Sequence, residues 1–468
     1  MRPYRLPEET LRPSHHPKQS WYLRLLQDWW SVPLLLTGLL IVAGLAGVPP
    51  LSDPVAGTSP ASLHLKTPEL YLILAPLFSL WDGVSMLSMS RLGGFLTGLA
   101  LIYVAWRVSA QFERSFAPLR VTGGMPLLLA RRQFRWRREL GRLVLSVAAL
   151  LGFVLLGALW HRPMLSLAGV STGELVVDFH SHTNLSHDVA DTWMRGFDTQ
   201  ANLRWHTRAG FDLAFITDHN LVEKRDHGAE TADQGPGDGD GERLATGDRR
   251  LATVPCPGIE VSAWRAHIVL LGDTLPVDRS RYNGSVEELL QLLDTSESAY
   301  GSLTLASLPE YRRNQWSRLD TLIAAGLDGF EIVNASPKAN ELTRAERDRV
   351  IALARAHNRF VAGVSDSHGW GATSMVWNLV KVPPPPGSDS ASLCSLVLQR
   401  LRAGFPAVHV VERHRLRPDA GWPMWLTPVG VTWETWRSMG WAQTASWIVW
   451  VWLGGFHLRR RLMRGNIT

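Results

Sequence analysis

Three long stretches of this 468-residue chain contain no charged residue, and nothing in it constrains the fold more. They lie between Asp28 and Asp53, between Arg142 and Arg162, and between Arg437 and Arg459. A helix needs about 20 mostly apolar residues to cross the hydrocarbon core of a bilayer. Each stretch meets that length and predicts a span. A fourth is expected within 68–107, where 70–81 is apolar but short and 95–106 is apolar, with Arg91 free to snorkel at its end.

Charge decides between topologies. The run 107–142 carries nine arginines and two glutamates. The lead carries Arg2, Arg5, Arg12, Lys18 and Arg24, and the tail carries Arg459, Arg460, Arg461 and Arg464. Positive flanks face the cytoplasm, and four spans place all three there. The expected organisation is a cytoplasmic segment 1–30, a transmembrane helix 31–48, an external loop with an interfacial segment 49–84, and a transmembrane helix 85–106. A basic cytoplasmic loop 107–142, a transmembrane helix 143–161, a large polar domain 170–420, a transmembrane helix 438–458 and a basic tail 459–468 follow. The lead into the first apolar stretch is long and charged, unlike a cleaved signal peptide. The implied localisation is a multi-pass protein of a bacterial inner membrane, with the lipid bilayer as partner and the polar domain on the periplasmic or external side. Tryptophans in and before 441–452 then form an aromatic belt.

The net charge of +6 is unevenly placed. Residues 1–170 hold 17 Lys+Arg against 8 Asp+Glu, and residues 171–468 hold 31 against 34. The basic excess therefore flanks apolar runs, and no nucleic-acid partner is expected. Two cysteines, Cys256 and Cys394, exclude a disulfide scaffold and a Cys-rich zinc module. Whether they pair is left open by the sequence.

From Glu174 the pattern becomes that of an α/β enzyme. Short apolar or β-branched runs at 175–179, 211–216, 267–271, 303–306, 329–333 and 360–364 read as strands. Helical stretches at 199–209, closed by Gly210, at 286–294 and at 345–357 alternate with them. That alternation predicts a parallel or mostly parallel sheet, closed as a barrel, with functional groups at strand C-terminal ends. The run 224–250 has almost no large apolar side chain and reads as a disordered insertion.

Histidines and carboxylates gather at those strand ends. The first cluster is DFHSHTNLSHD at 178–188, where His180 and His182 share one face because strand side chains repeat every second residue. The second is Thr217-Asp218-His219-Asn220. The third is Pro257-Gly258-Ile259-Glu260, followed by His267. The fourth is Ser365-Asp366-Ser367-His368-Gly369. Imidazole nitrogens with bridging carboxylates make a multinuclear metal site without sulfur, suited to zinc, manganese or iron.

With DFHSHTNLSHD, GFDLAFITDHN at 210–220, PGIEVSA at 257–263 and GVSDSHG at 363–369, the domain resembles the polymerase-and-histidinol-phosphatase (PHP) metallohydrolases over about 175–415. The HSHTNxSHD start is similar to the carbaryl-hydrolase-like branch. The resemblance implies a distorted seven-stranded (β/α)7 barrel, here fused to a helical membrane region, with two or three divalent ions. It implies that His180, His182, Glu260 and Asp366 hold the first ion. Glu260 would bridge to a second, also held by His267. His219 and His368 would hold a third, with either His187 or Asp188. The family's usual His-Pro after a middle strand is Leu308-Pro309 here, so the second ion lacks one expected ligand; Glu310 stands close by in sequence.

The function so implied is a membrane-anchored phosphoesterase using metal-activated water on a small-molecule phosphoester. His219, His368 and Asp218 are its catalytic candidates, with Asp218 orienting a ligand. No organic cofactor is implied. Arg265, Arg312 and Arg313 are the nearest cations that could grip a phosphate, or they are ordinary solvated charges. An ester or carbamate hydrolase, and a catalytically weak metal- or ligand-binding sensor, are the alternatives. Glu331 and Asn334 in GFEIVNA either line the site or serve structure.

Overall fold

The computed structural model describes residues 30–115, 136–220, 252–272, 276–336, 342–382 and 390–465. The expected insertion 224–250, most of the N-terminal lead and the middle of the basic loop lie outside the described residues.

The strands, in chain order, are β1 (Leu51–Ser52), β2 (His64–Lys66), β3 (Ser166–Ala168), β4 (Glu174–Ser181), β5 (Leu213–Ile216), β6 (Val254–Ala263), β7 (Ala266–Leu271), β8 (Leu303–Ala306), β9 (Gly329–Asn334), β10 (Phe360–Val364), β11 (Val376–Lys381) and β12 (Val408–Arg413). Ten of them form one sheet in the order β1-β12-β11-β4-β5-β6-β7-β8-β9-β10, and β2 and β3 pair separately. The sheet curls until the end of β10 returns to the end of β4. There Asp366 N donates to the His180 carbonyl at 2.9 Å, and His182 N donates to the Ser367 carbonyl at 2.9 Å.

The barrel-like α/β fold is as expected, but the sheet has ten strands and is mixed. β4–β5–β6 and β8–β9–β10 are parallel, but β7 runs antiparallel to both its neighbours. β11 and β12 extend the sheet beyond β4, also antiparallel. The reason is a tight turn at Trp264-Arg265, where Arg265 adopts φ 50° and leaves no room for a crossover helix.

Helices cover the sheet where local chemistry starts and stops them. Helix Thr199–Ala209 begins where the Asp198 side chain accepts from Ala201 N and ends at Gly210, φ 91°. Helix Arg344–Ala356 begins with a capping box between Thr343 and Glu346. Phe179, Phe215, Phe330 and Phe360 are fully buried within the curled sheet. Cys256 of β6 and Cys394 of helix Ser390–Leu401 form a disulfide across 138 residues of chain. A bridge closing so long a loop contributes about 4 kcal/mol by restricting the unfolded chain. Reduction, or Cys256→Ser, is expected to lower the urea midpoint accordingly.

A helical layer packs beside the barrel. It comprises Ser31–Leu45, Glu69–Ile73, Ala75–Ser85, Met89–Ser115, Trp136–Leu159, Thr427–Ser438 and Trp441–Gly465. The multi-pass localisation is corrected here. Among the described residues, two helices are long and apolar enough to cross a membrane, Met89–Ser109 and Arg137–Leu159, not four. Helix Ser31–Leu45 has 15 residues, short of the length required. The last helix interleaves its tryptophans with Gln443, Thr444 and Ser446. Its indoles serve packing instead of a belt: Trp447 Nε1 donates to Ser79 Oγ at 3.1 Å and Trp450 Nε1 to the Ile73 carbonyl at 2.7 Å.

Two charges of the helical layer, Arg91 and Asp82, are buried. Arg91 does not snorkel; its guanidinium donates to the carbonyls of Pro418, Ala420 and Trp422. Asp82 is 1% exposed. It pairs with Arg162 at 2.6 Å and Arg413 at 3.2 Å, and accepts from Tyr71 Oη at 2.8 Å.

Candidate metal centre

The site forms where β4, β5, β6, β7 and β10 end or turn at one rim of the barrel. β4 carries His180 and, just past its end, His182, both fully buried. Asp366 follows β10 with φ 46°, a left-handed turn that aspartate tolerates better than most residues. Gly258, before Glu260 on β6, is needed for close approach. A Cβ there would meet Thr217 Cγ2 at 2.8 Å and the Leu270 carbonyl at 3.1 Å.

Three groups of donors lie close enough to hold an ion each: His180, His182 and Asp366; His182, Asp188 and His219; and His219, Glu260 and His267. Glu260 is central. Its Oε2 lies 3.1 Å from His180 Nε2, 3.3 Å from His182 Nε2 and 3.2 Å from His219 Nε2, and its Oε1 lies 3.0 Å from His267 Nδ1. Asp366 Oδ1 lies 3.2 Å from His182 Nε2. Asp188 Oδ2 lies 3.1 Å from His219 Nε2 and 2.7 Å from His368 Nε2.

The structure thus separates two candidates that the sequence left together. Asp188 faces the cluster. His187 is exposed, stacks its ring 5.0 Å from that of His219, and belongs to none of the three groups. The reason is local: His187 opens the short helix His187–Ala190, so strand periodicity no longer sets its direction. Asp218 makes no contact with the imidazoles. Both its oxygens are taken by Thr183, from the backbone N and from Oγ1, each at 2.6 Å. It fixes the turn after His182 and is not placed for proton transfer. Arg312 is engaged by Glu346 at 2.9 Å, and Arg265 lies over the Trp264 ring at 5.4 Å. Leu308 is buried, and its backbone N donates to Glu331.

The surroundings orient the donors. His180 Nδ1 lies 2.7 Å from Glu331 Oε1, which directs Nε2 into the cluster. Glu331 in turn accepts from Leu308 N at 2.8 Å and Asn334 Nδ2 at 3.0 Å. Asn202 Nδ2 donates to the His182 carbonyl at 2.8 Å. Asp178 does not reach the cluster; it accepts from Ser365 and bonds His206, tying β4 to the end of β10. The partners of His180, His182 and Asp178 lie 20 to 187 residues away in sequence, and only the GFEIVNA segment had marked Glu331 for attention. Glu331→Gln is expected to weaken metal binding by about 10- to 100-fold, read as a change in dissociation constant with the fold intact.

The electrostatics fit a cation. Burial would raise Glu260, but His180, His219 and His267 hold it well below the usual carboxylate range. Burial would likewise raise Asp366 and Asp188, yet neighbouring histidines hold both well down. Burial pushes His182 down to about 4, helped by His368. Burial pushes Glu331 up to about 7, against the pull of His180. His368 supplies the sharpest test of fit. Its Nδ1 faces the Asp366 carbonyl at 2.7 Å and must donate, so a neutral ring points the Nε2 lone pair at Asp188. Two lone pairs 2.7 Å apart require a proton or a metal ion.

A pH dependence follows. Burial opposes charge on His267 and His368, but Glu260 and Asp366 respectively outweigh it and push each up to about 9. Without metal both rings carry protons at pH 7, and an ion must displace them. Affinity is expected to climb about tenfold per pH unit for each displaced proton until about pH 9, read by titration calorimetry. In chelated protein the sign reverses. The stability those imidazolium ions contribute is full below about 6.5, the unfolded value, and is lost as pH rises through about 9.

No protein-family model matches the chain, nor does any curated protein. Solved structures similar to it include PsfC from Pseudomonas syringae PB-5123, 16% identical, with a TM-score of 0.33, over 56% of this chain and 97% of that one. Another is an amidohydrolase from Chromobacterium violaceum with bound sulfate and no metal, 15% identical, with a TM-score of 0.25, over 52% of this chain and 98% of that one. Likeness at that level leaves function to the geometry of the site.

Proposed function

We propose that the chain is a metal-dependent hydrolase of PHP type acting on a small-molecule phosphoester. One observation carries this reading: donors from five places in the sequence converge into three overlapping ion-holding groups joined by Glu260, His182 and His219. The four motifs that resemble the PHP family contribute every member of those groups except His267.

In this reading His180, His182, Glu260 and Asp366 hold one ion, Glu260 and His267 a second, and Asp188, His219 and His368 a third. Divalent ions there supply Lewis acidity, activating water and offsetting charge that develops on the phosphoryl oxygens. The chain's own part is positional. Glu331 holds the His180 ring in one tautomer, Asp218 fixes the turn carrying Asp188, and Asn202 anchors His182. His368, 19% exposed at the open side, is held by the Asp366 carbonyl at Nδ1, which leaves Nε2 for the third ion. Leu308 leaves the second ion one imidazole short, and half-buried Glu310 stands near enough to His267 to feel its charge.

The test is elemental analysis of the purified full-length chain with a panel of phosphate and carboxylic esters. Expected are bound transition metal and phosphoester turnover that a chelator removes and metal restores. Turnover of carboxylic esters or carbamates alone would replace the phosphoester assignment. A chain that binds no metal and turns over neither class would be a binding module instead.

A further inference from the structure

Away from the metal centre, β12 runs into the segment 413–416, which separates two cavities. One is a cleft of about 850 Å³ with a polar lining that includes Arg344, Arg347, Arg415 and Arg417. The other, of about 280 Å³, lies between barrel and helical layer and is lined largely by apolar side chains, among them Leu65, Leu72, Met86, Leu165, Val431 and Met439. Arg413, His414, Arg415 and Leu416 border both.

Most charges around this wall are paired, although Glu412 Oε2 and Arg347 Nε, like two nitrogens of Arg415, are sealed without a hydrogen bond. Glu412 pairs through Oε1 with Arg347 at 2.6 Å and Arg417 at 3.3 Å. Asp419 pairs with Arg417 at 3.5 Å and caps Arg344 N at 2.7 Å. Asp53 pairs with His409, and Glu434 with His414 and Arg437. Arg413 turns to Asp82. Arg415 has no partner: its Nε and Nη1 are sealed from solvent without a hydrogen bond. Burial pushes the guanidinium down to about 10 even though Glu412 favours its charge. An unpaired buried guanidinium is costly, and an oxyanion in bidentate geometry is its natural complement. The adjoining apolar cavity adds a seat for a hydrocarbon substituent.

We propose that Arg415 binds the oxyanion head group, phosphate or carboxylate, of an amphiphile whose apolar part fills the 280 Å³ cavity. This site is independent of the metal-hydrolase reading, because none of its residues belongs to the three ion-holding groups.

The experiment titrates hexylphosphonate, methylphosphonate and hexanol into the purified full-length chain, by calorimetry, with and without chelator. Hexylphosphonate resists hydrolysis, so turnover at the metal centre does not intrude. Saturable binding is expected, at least tenfold tighter than either fragment and unchanged by chelation. Arg415→Met is expected to weaken it at least tenfold while metal content stays at the wild-type level. Arg415→Lys, which keeps the charge but loses the fork, is expected to fall between and serves alone if the methionine variant does not fold. Absence of saturable binding overturns the proposal. So does binding of methylphosphonate or hexanol as tight as the amphiphile, loss of binding on chelation, or undiminished binding in either folded variant.

Discussion

His180→Ala or Asp366→Ala is expected to abolish the proposed hydrolysis and to remove most of the bound metal. Loss of an orienting partner alone costs about 10- to 100-fold in affinity or activity, so loss of a ligand is expected to lower turnover by about 10³-fold or more. The two sites are complementary controls. His180 is buried between Glu260, Glu331 and Asp366, so its removal leaves three carboxylates without their shared imidazole. Asp366 is at the rim, and its removal leaves His182 and His368 with one carboxylate fewer. Metal content by elemental analysis and turnover of the best phosphoester should fall together. Undiminished turnover in both variants would remove the site from the mechanism.

Asp82→Ala is expected to cost about 3–5 kcal/mol of stability, the penalty for stranding buried charge. Two guanidiniums, Arg162 and Arg413, and the Tyr71 hydroxyl would lose their common acceptor at once. Urea unfolding of the full chain measures the loss. The triple replacement Asp82→Leu, Arg162→Met and Arg413→Met should recover much of it, because removing every member strands nothing. A variant at position 82 as stable as wild type would mean that the ion group does not join the helical layer to the barrel.

The contrast between these sites explains what could be read in advance. Strands such as β8 and β10, and the helix closed by Gly210, announce themselves through local periodicity and turn chemistry. The ligand-bearing motifs are equally local, because each occupies one strand end. β6 escaped notice because Pro255, Pro257 and Gly258 interrupt the usual strand composition. β11 and β12 are rich in valine and were within reach of the same reasoning. The choice between His187 and Asp188 depended on where a strand gives way to a short helix, which no two-residue period reveals. The partnership of Glu331 with His180 spans 151 positions and exists only once the sheet has curled. Asp82, Arg91 and Arg162 misled for a physical reason. A charge beside an apolar run has the same appearance whether it meets water, a lipid head group or a buried countercharge. Long stretches of uncharged sequence accordingly predicted four spans where, among the described residues, two helices have the necessary length and apolarity.

The pairing of β1 with β12 bears on how this molecule can be dissected. Leu51 and Ser52, over a hundred residues before the barrel begins, supply the last strand of its sheet opposite Arg413 and Glu412. Excising 165–420 as an autonomous fragment would strip that covering strand away and bare a row of backbone donors and acceptors, an invitation to edge-to-edge aggregation. The barrel that carries the candidate metal centre is therefore stitched into the chain from both directions.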